Sequence, residues 1–299
     1  MALSETPNPD AAVLDPTTFA TSERGATIRS SEGMRRHVEN GGVRLAWGEA
    51  GDGAPVLLIH GLGYDRRGWG PAQRLLADRF RVLTFDNRGV GESDCPPGPY
   101  STELMAADAL AVLDDAGVGR AHLVGTSLGG MVAQELALRS PERIETLVLA
   151  STTPGGDDGF PMPQRSVELF SAFADDPSKR NLRRIVENSL SARTVATRPE
   201  LVDEIFRYRL DNRPALDGWL AQASAGRTFS SLPALPDLSV PTLIIHGTDD
   251  NVVDHRNAGL LAREIPGARL VLLRDAGHLC FWEEPGEFAD TVRAFLDRS

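Results

Sequence analysis

Apolar residues show no periodic spacing along residues 1–33, where Ser, Thr, Pro and Asp dominate. That texture predicts a mobile polar arm with little structure of its own. From residue 34 onwards the pattern is regular. Two segments, 34–39 and 43–48, flank Asn40-Gly41-Gly42, a turn chemistry that predicts a β-hairpin. The run 56–59 is unbroken Val-Leu-Leu-Ile, as expected of a strand buried on both faces of a sheet. Further strands are predicted at 81–85, at Leu123-Val124, and at 146–150, 242–246 and 269–273. Helices are predicted between them at 71–77, 102–116, 256–264 and from Pro285, the last with Phe288, Val292 and Phe295 on one stripe. Between residues 154 and 236 strand patterns stop. Four helical segments, 164–174, 178–191, 199–210 and 214–225, are separated there by Pro and Asp breaks. This organisation predicts an α/β core over 34–153 and 237–299, with a helical cap at 154–236.

One strand-to-helix junction carries the chemistry. The segment Gly125-Thr126-Ser127-Leu128-Gly129-Gly130 runs straight into a helical pattern, which is the layout of a nucleophile elbow. The sharp corner lifts the Ser127 hydroxyl above the sheet, and Gly125 and Gly129 stand where a Cβ would collide with neighbouring elements. Serine needs a base, and the base needs an orienting acid. Among the six histidines, His278 lies in Ala276-Gly277-His278-Leu279, just past the last apolar strand, on the sheet edge that also holds the elbow. His60 reads as a structural hydrogen-bonder at a strand end. His122 and His246 fall in or beside strands, and His37 and His255 read as surface residues. The acid is expected in Gly247-Thr248-Asp249-Asp250, again after a strand, so that the chain order is Ser, Asp, His. The backbone N–H groups of Leu128 and Leu62 are candidates for an oxyanion hole.

Composition narrows the partners. A net charge of -11 argues against nucleic acid and anionic membrane surfaces. Two cysteines, Cys95 and Cys280, are too few for a disulfide framework and lack metal-site spacing. No apolar run approaches the ~18 residues of a membrane span, and the N-terminus lacks a secretory pattern, so a cytoplasmic location is expected. The glycine-rich segment Asp86-Asn87-Arg88-Gly89-Val90-Gly91-Glu92-Ser93 lacks the Gly-Lys-Ser/Thr ending of a phosphate loop. It reads as a tight loop pinned by Asp and Arg hydrogen bonds. Basic and acidic residues balance within the cap, which predicts an uncharged apolar substrate. Phe160, Met162, Phe170, Phe173, Phe206 and Trp219 are its candidate pocket lining.

Taken together, His60-Gly61-Leu62-Gly63, the Asp86–Ser93 loop, the elbow, Gly247-Thr248-Asp249-Asp250 and Gly277-His278 resemble the α/β-hydrolase superfamily over about residues 34–299. Gly-Thr-Ser-Leu-Gly-Gly-Met and Leu-Val-Leu-Ala-Ser-Thr-Thr-Pro-Gly are similar to its small esterases and enol-lactonases. The resemblance implies an eight-stranded, mostly parallel sheet flanked by helices, with a helical cap inserted after the sixth strand. It implies a serine esterase or lactonase acting through an acyl-enzyme on a small to medium apolar ester, with no cofactor and no metal. Carbon–carbon bond hydrolysis, acyl transfer or slow-turnover ligand reception on the same triad are the alternatives. The family spacing from Gly247 selects Asp250 over Asp249; oligomeric state and natural substrate stay open.

Overall fold

The computed structural model describes residues 36–298, so the predicted arm and the start of the first predicted strand lie outside the described residues. Strands β1 (Arg36–Asn40) and β2 (Val43–Ala50) pair antiparallel. The two-residue connection, Gly41 and Gly42, has φ of 58° and 80°, the left-handed geometry that an Asn-Gly-Gly sequence favours. Strand β2 also pairs antiparallel with β4 (Arg81–Phe85). The remaining strands are all parallel: β3 (Pro55–Ile59), β5 (Ala121–Thr126), β6 (Ile144–Ala150), β7 (Thr242–Gly247) and β8 (Arg269–Leu273). The sheet order is β1-β2-β4-β3-β5-β6-β7-β8.

Period-two alternation divides the strand residues between two cores. Leu57, Ile59, Leu83, Leu123, Leu147 and Ile244 face one layer, which is closed by Met105 and Val112 of α2 (Thr102–Asp115) and Val132 and Leu136 of α3 (Leu128–Arg139). Val56, Leu58, Val82, Val124, Val148 and Ile245 face the other. That side is closed by α1 (Gly70–Ala77) and by Phe288, Val292 and Phe295, the stripe predicted for the final helix. Where both faces are covered, as in β3 and in the middle of β5, β6 and β7, the strand is apolar without interruption, which is why it reads as a run.

Residues between β6 and β7 form the cap: α4 (Gln164–Asp175), α5 (Lys179–Asn188), α6 (Ala192–Thr197), α7 (Pro199–Asp211) and α8 (Leu216–Thr228). The helix predicted at 178–191 ends at Asn188, and α6, which the pattern did not show, follows it. Ser191 Oγ accepts from Thr194 N at 3.1 Å, so this serine caps a new helix and does not end the old one. The chain returns to the core before β7: Leu235, in a short 3-10 turn after the cap, is buried with the α2/α3 layer. After β7 come α9 (Arg256–Glu264), β8, the short α10 (Cys280–Glu283) and α11 (Pro285–Leu296).

Candidate active site

All the parallel strands end on one edge of the sheet, and the chemistry-bearing residues gather there. At the end of β5, Ser127 has φ 54° and ψ -122°, a conformation L residues rarely adopt. Its neighbours make that corner possible. A Cβ on Gly125 would sit 2.4 Å from the Gly129 carbonyl oxygen, and one on Gly129 would sit 2.0 Å from that of Ile59. Ser127 N donates to Ala150 O at 3.0 Å, and Thr152 Oγ1 donates to Ser127 O at 2.7 Å, so the end of β6 and the loop after it hold the elbow on both sides.

Asp250 and His278 come together, and Asp249 does not join them. His278 Nδ1 lies 2.8 Å from Asp250 Oδ2, while Asp249 is exposed and directs its side chain to Thr248. The other Asp250 oxygen accepts from Val252 N at 2.7 Å and Val253 N at 2.9 Å. A residue that reads as an ordinary strand position adds a fourth partner: His246 Nε2 is 2.9 Å from Asp250 Oδ2, with no exposure. Burial alone would push the Asp250 carboxyl up. The His278 charge and the hydrogen bonds from both imidazoles outweigh it and hold the group well below the usual carboxylate range. Asp250 is therefore ionised throughout the neutral range.

The loop that carries His278 is tied down on both sides. Gly277 N donates to Glu283 Oε1 at 2.7 Å, and the other Glu283 oxygen accepts from Ser191 Oγ at 2.7 Å and Ser191 N at 3.0 Å. Leu279 N donates to Ser189 O at 3.1 Å. Glu283, Ser189 and Ser191 carry no motif that marks them; only the folded chain brings cap and loop together.

The loop after β3 lies against the nucleophile: a Cβ on Gly61 would be 3.5 Å from Ser127 Oγ. Within it, Gly61 N donates to His60 Nδ1 at 2.7 Å, Gly63 N to Gln222 Oε1 at 2.9 Å and Tyr64 N to Gly61 O at 3.3 Å. Among the described residues, the N–H groups of Leu62 and Leu128 have no protein acceptor. Neither predicted oxyanion donor is thus engaged by another described group of the protein. His60 itself is fully buried, stacked on Tyr64 with ring centroids 4.5 Å apart, and burial lowers its pKa to about 3. It is a neutral structural group.

Ser127, His278, Leu62 and Leu128 line one cavity of about 690 Å³ under the cap. Of the six predicted lining residues, Phe160, Met162, Phe170 and Trp219 face it. Phe173 and Phe206 do not. Phe173 is buried inside the cap, 5.5 Å centroid to centroid from Trp219, and Phe206 packs sideways beneath the Arg183 guanidinium. The charge balance across the cap, from which an uncharged substrate was expected, does not extend to this cavity. Arg209 of α7 lines the cavity at 3% exposure, 3.9 Å over the Tyr64 ring, with Nη1 hydrogen-bonded to Gly63 O. Its buried Nε has no partner, and no carboxylate pairs with it among the described residues. Balanced charge across the cap concealed this one desolvated cation.

The Asp86–Ser93 segment is pinned as expected, though from outside as well as within. Asp86 accepts from Arg66 N at 2.7 Å and Glu92 N at 2.8 Å, and Arg88 forms a two-pronged buried pair with Asp108 of α2.

Residues 54–285 match the family described as the alpha/beta hydrolase fold. The chain belongs to that family. A 2-hydroxy-6-oxononadienedioate/2-hydroxy-6-oxononatrienedioate hydrolase of Klebsiella pneumoniae is 34% identical over 279 residues, covering 88% of this chain and 95% of the relative. Among solved structures, an esterase from Thermogutta terrifontis is 29% identical with a TM-score of 0.77, covering 89% of this chain and 98% of its own. The enol-lactonase from Burkholderia xenovorans LB400 is 28% identical with a TM-score of 0.78, covering 88% and 100%. The chain is accordingly an enzyme of the α/β-hydrolase class, carrying out hydrolysis on a small organic substrate. No helix among the described residues is long and apolar enough to cross a membrane.

Proposed function

We propose that the chain is a serine hydrolase working through an acyl-enzyme. The observation that carries this reading is the left-handed Ser127 at the elbow, opening into the same cavity as a His278 whose Nδ1 is bound to the ionised Asp250. With Nδ1 protonated toward Asp250, the other ring nitrogen keeps its lone pair for the Ser127 proton. Attack on an acyl carbonyl moves charge onto its oxygen, where the Leu62 and Leu128 N–H groups stabilise it. His278 then returns the proton to the leaving group, and water repeats the sequence to release the acid.

Two bonds suit this apparatus. The esterase and enol-lactonase structures favour a carboxylic ester or lactone. The hydrolases of dienedioates among the curated relatives favour a second reading, cleavage of a carbon–carbon bond next to a ketone, and this second reading has the broader support. In that case the electron pair of the broken bond stays on carbon, which takes the proton instead of oxygen. The buried, unpaired Arg209 also favours a substrate that brings a carboxylate. Turnover of a 2-hydroxy-6-oxo-dienedioate, 4-nitrophenyl butyrate and a γ-lactone separates the readings by relative kcat/KM. Ser127→Ala is expected to lower kcat about 10⁴- to 10⁶-fold on whichever is cleaved. Retention of more than a few per cent of activity in that variant would overturn the acyl-enzyme reading.

A further inference from the structure

The Leu62 amide sits in a loop that has little stiffness of its own. Gly61 and Gly63 flank it, and Gly63 has φ +70°. Rotating the peptide between Gly61 and Leu62 changes ψ of Gly61, which has no Cβ to resist it, and φ of Leu62, and would turn the N–H to a new direction. Core residues supply part of the hold: Tyr64 N donates to Gly61 O of that same peptide, but at a long 3.3 Å, and Asn87 Nδ2 donates to His60 O at 3.1 Å.

The rest of the grip comes from the cap. Gln222 on α8 has no exposure, and its amide spans two core loops. Its Oε1 accepts from Gly63 N at 2.9 Å, and its Nε2 donates to Arg88 O at 2.8 Å. Arg209, on α7, donates to Gly63 O. Both ends of the Gly63 residue are therefore held from above, and the Trp219 ring closes the remaining space: a Cβ on Gly63 would lie 2.7 Å from its Cδ1. Gln222 satisfies both halves of its own amide in doing so, which removes the cost of burying it.

We infer that Gln222 is a positioning residue for the reaction: by fixing the Gly63 peptide it keeps the Leu62 N–H aimed at the acyl oxygen. The inference rests on the reading of Leu62 as an oxyanion donor. It makes the cap a working part of the transition-state apparatus, beyond its part in shaping the cavity. The arrangement costs no reorganisation at the moment of reaction only while α8 is seated on the core.

The test compares Gln222→Met, similar in length but unable to hydrogen-bond, with Gln222→Glu, which keeps an acceptor for Gly63 N. Each is assayed on two esters with different acyl groups, with rates expressed per active site titrated by a phosphonate ester. Gln222→Met is expected to lower kcat about 10- to 100-fold with KM within about threefold. Affinity for a trifluoromethyl ketone, which forms a tetrahedral oxyanion on serine, should fall by the same factor. Gln222→Glu should recover at least about tenfold of the loss. A kcat per titrated site within threefold of the parent, or a loss confined to KM on one ester, would overturn the inference. Should Gln222→Met not fold, Gln222→Asn, whose amide is one methylene too short to span to Gly63, carries the same expectation. Failure of the parent enzyme to be titrated by the phosphonate would instead overturn the acyl-enzyme reading itself.

Discussion

Replacing Asp250 by Asn separates its role from that of Asp249 more sharply than any other single change. The carboxylate accepts four hydrogen bonds, two on each oxygen. Oδ1 faces the Val252 and Val253 N–H groups, so in the Asp250→Asn variant the side-chain carbonyl oxygen must take that side. The amide NH2 then occupies the position of Oδ2 and points its hydrogens at two imidazole nitrogens that were donors. His278 can meet it only by presenting a lone pair at Nδ1, which places its proton on the nitrogen facing Ser127. A base already protonated there cannot accept the serine proton. The expected loss in kcat is about 10⁴-fold, the cost of the wrong imidazole tautomer. Asp249→Asn alters only an exposed contact with Thr248 and should cost less than about tenfold. The assay is steady-state turnover of the best substrate, with circular dichroism and urea titration to confirm that both variants are folded. Asp250→Asn within tenfold of the parent, or the reverse ranking of the two, would refute the reasoning.

Two further predictions concern groups outside the chemistry. His60 has a folded pKa of about 3 against about 6.5 when unfolded, so below pH 6.5 only the unfolded chain takes up its proton. Stability should fall as pH drops through that window, by about 1.4 kcal/mol per unit, or about 2 kcal/mol from His60 between pH 6.5 and pH 5. Asp250 does not contribute there, since it is ionised in both states above about pH 5. Urea unfolding of the parent and His60→Gln should show a shallower pH slope in the variant; equal slopes would refute it. Cys280 is fully buried and its thiol is pushed up to about 12, whereas Cys95 is exposed. A thiol reagent such as Ellman's should modify one cysteine per native chain and both in denaturant; two in the native protein would contradict the burial.

The fold was legible because each of its elements satisfies a local rule. Val56–Ile59 is buried on both faces, so it is apolar without interruption. Gly41 and Gly42 adopt the positive φ that their turn needs, and Gly129 leaves room for the Ile59 carbonyl. Ser127, His278 and the Gly247-Thr248-Asp249-Asp250 segment were legible for a related reason: each sits at or just past a strand end on the same sheet edge. The cap was harder. An aromatic in a cap helix satisfies the same pattern whether it faces the cavity or the cap's own interior. Phe170 does the first and Phe173 the second, three residues apart on α4. The end of α5 at Asn188 was hidden because Leu190 continues the apolar spacing. His246, Gln222 and Glu283 act through partners four to 159 residues away, and no local pattern announces those pairs.

The pocket charge shows why an average over a segment misleads. Surface charges on the cap stand in water, where a pair ~4 Å apart interacts by about 1 kcal/mol and salt screens the rest within about 8–10 Å. Arg209 stands apart from that balance because it is desolvated, at 3% exposure, with a carbonyl and a ring face as its main compensation. In such a setting an effective dielectric constant near 20 raises the attraction of a carboxylate ~4 Å away to about 4 kcal/mol. One buried guanidinium can therefore outweigh every exposed charge on the cap in choosing the substrate. The exposed Arg227 also lines the cavity, but the desolvated Arg209 sets the sign of the preference: a substrate bearing a carboxylate should be favoured over its neutral ester analogue. Arg209→Met should erase the ratio of the two kcat/KM values, and it should lower both because Gly63 loses a partner. A ratio unchanged in that variant would return the choice of substrate to the apolar lining.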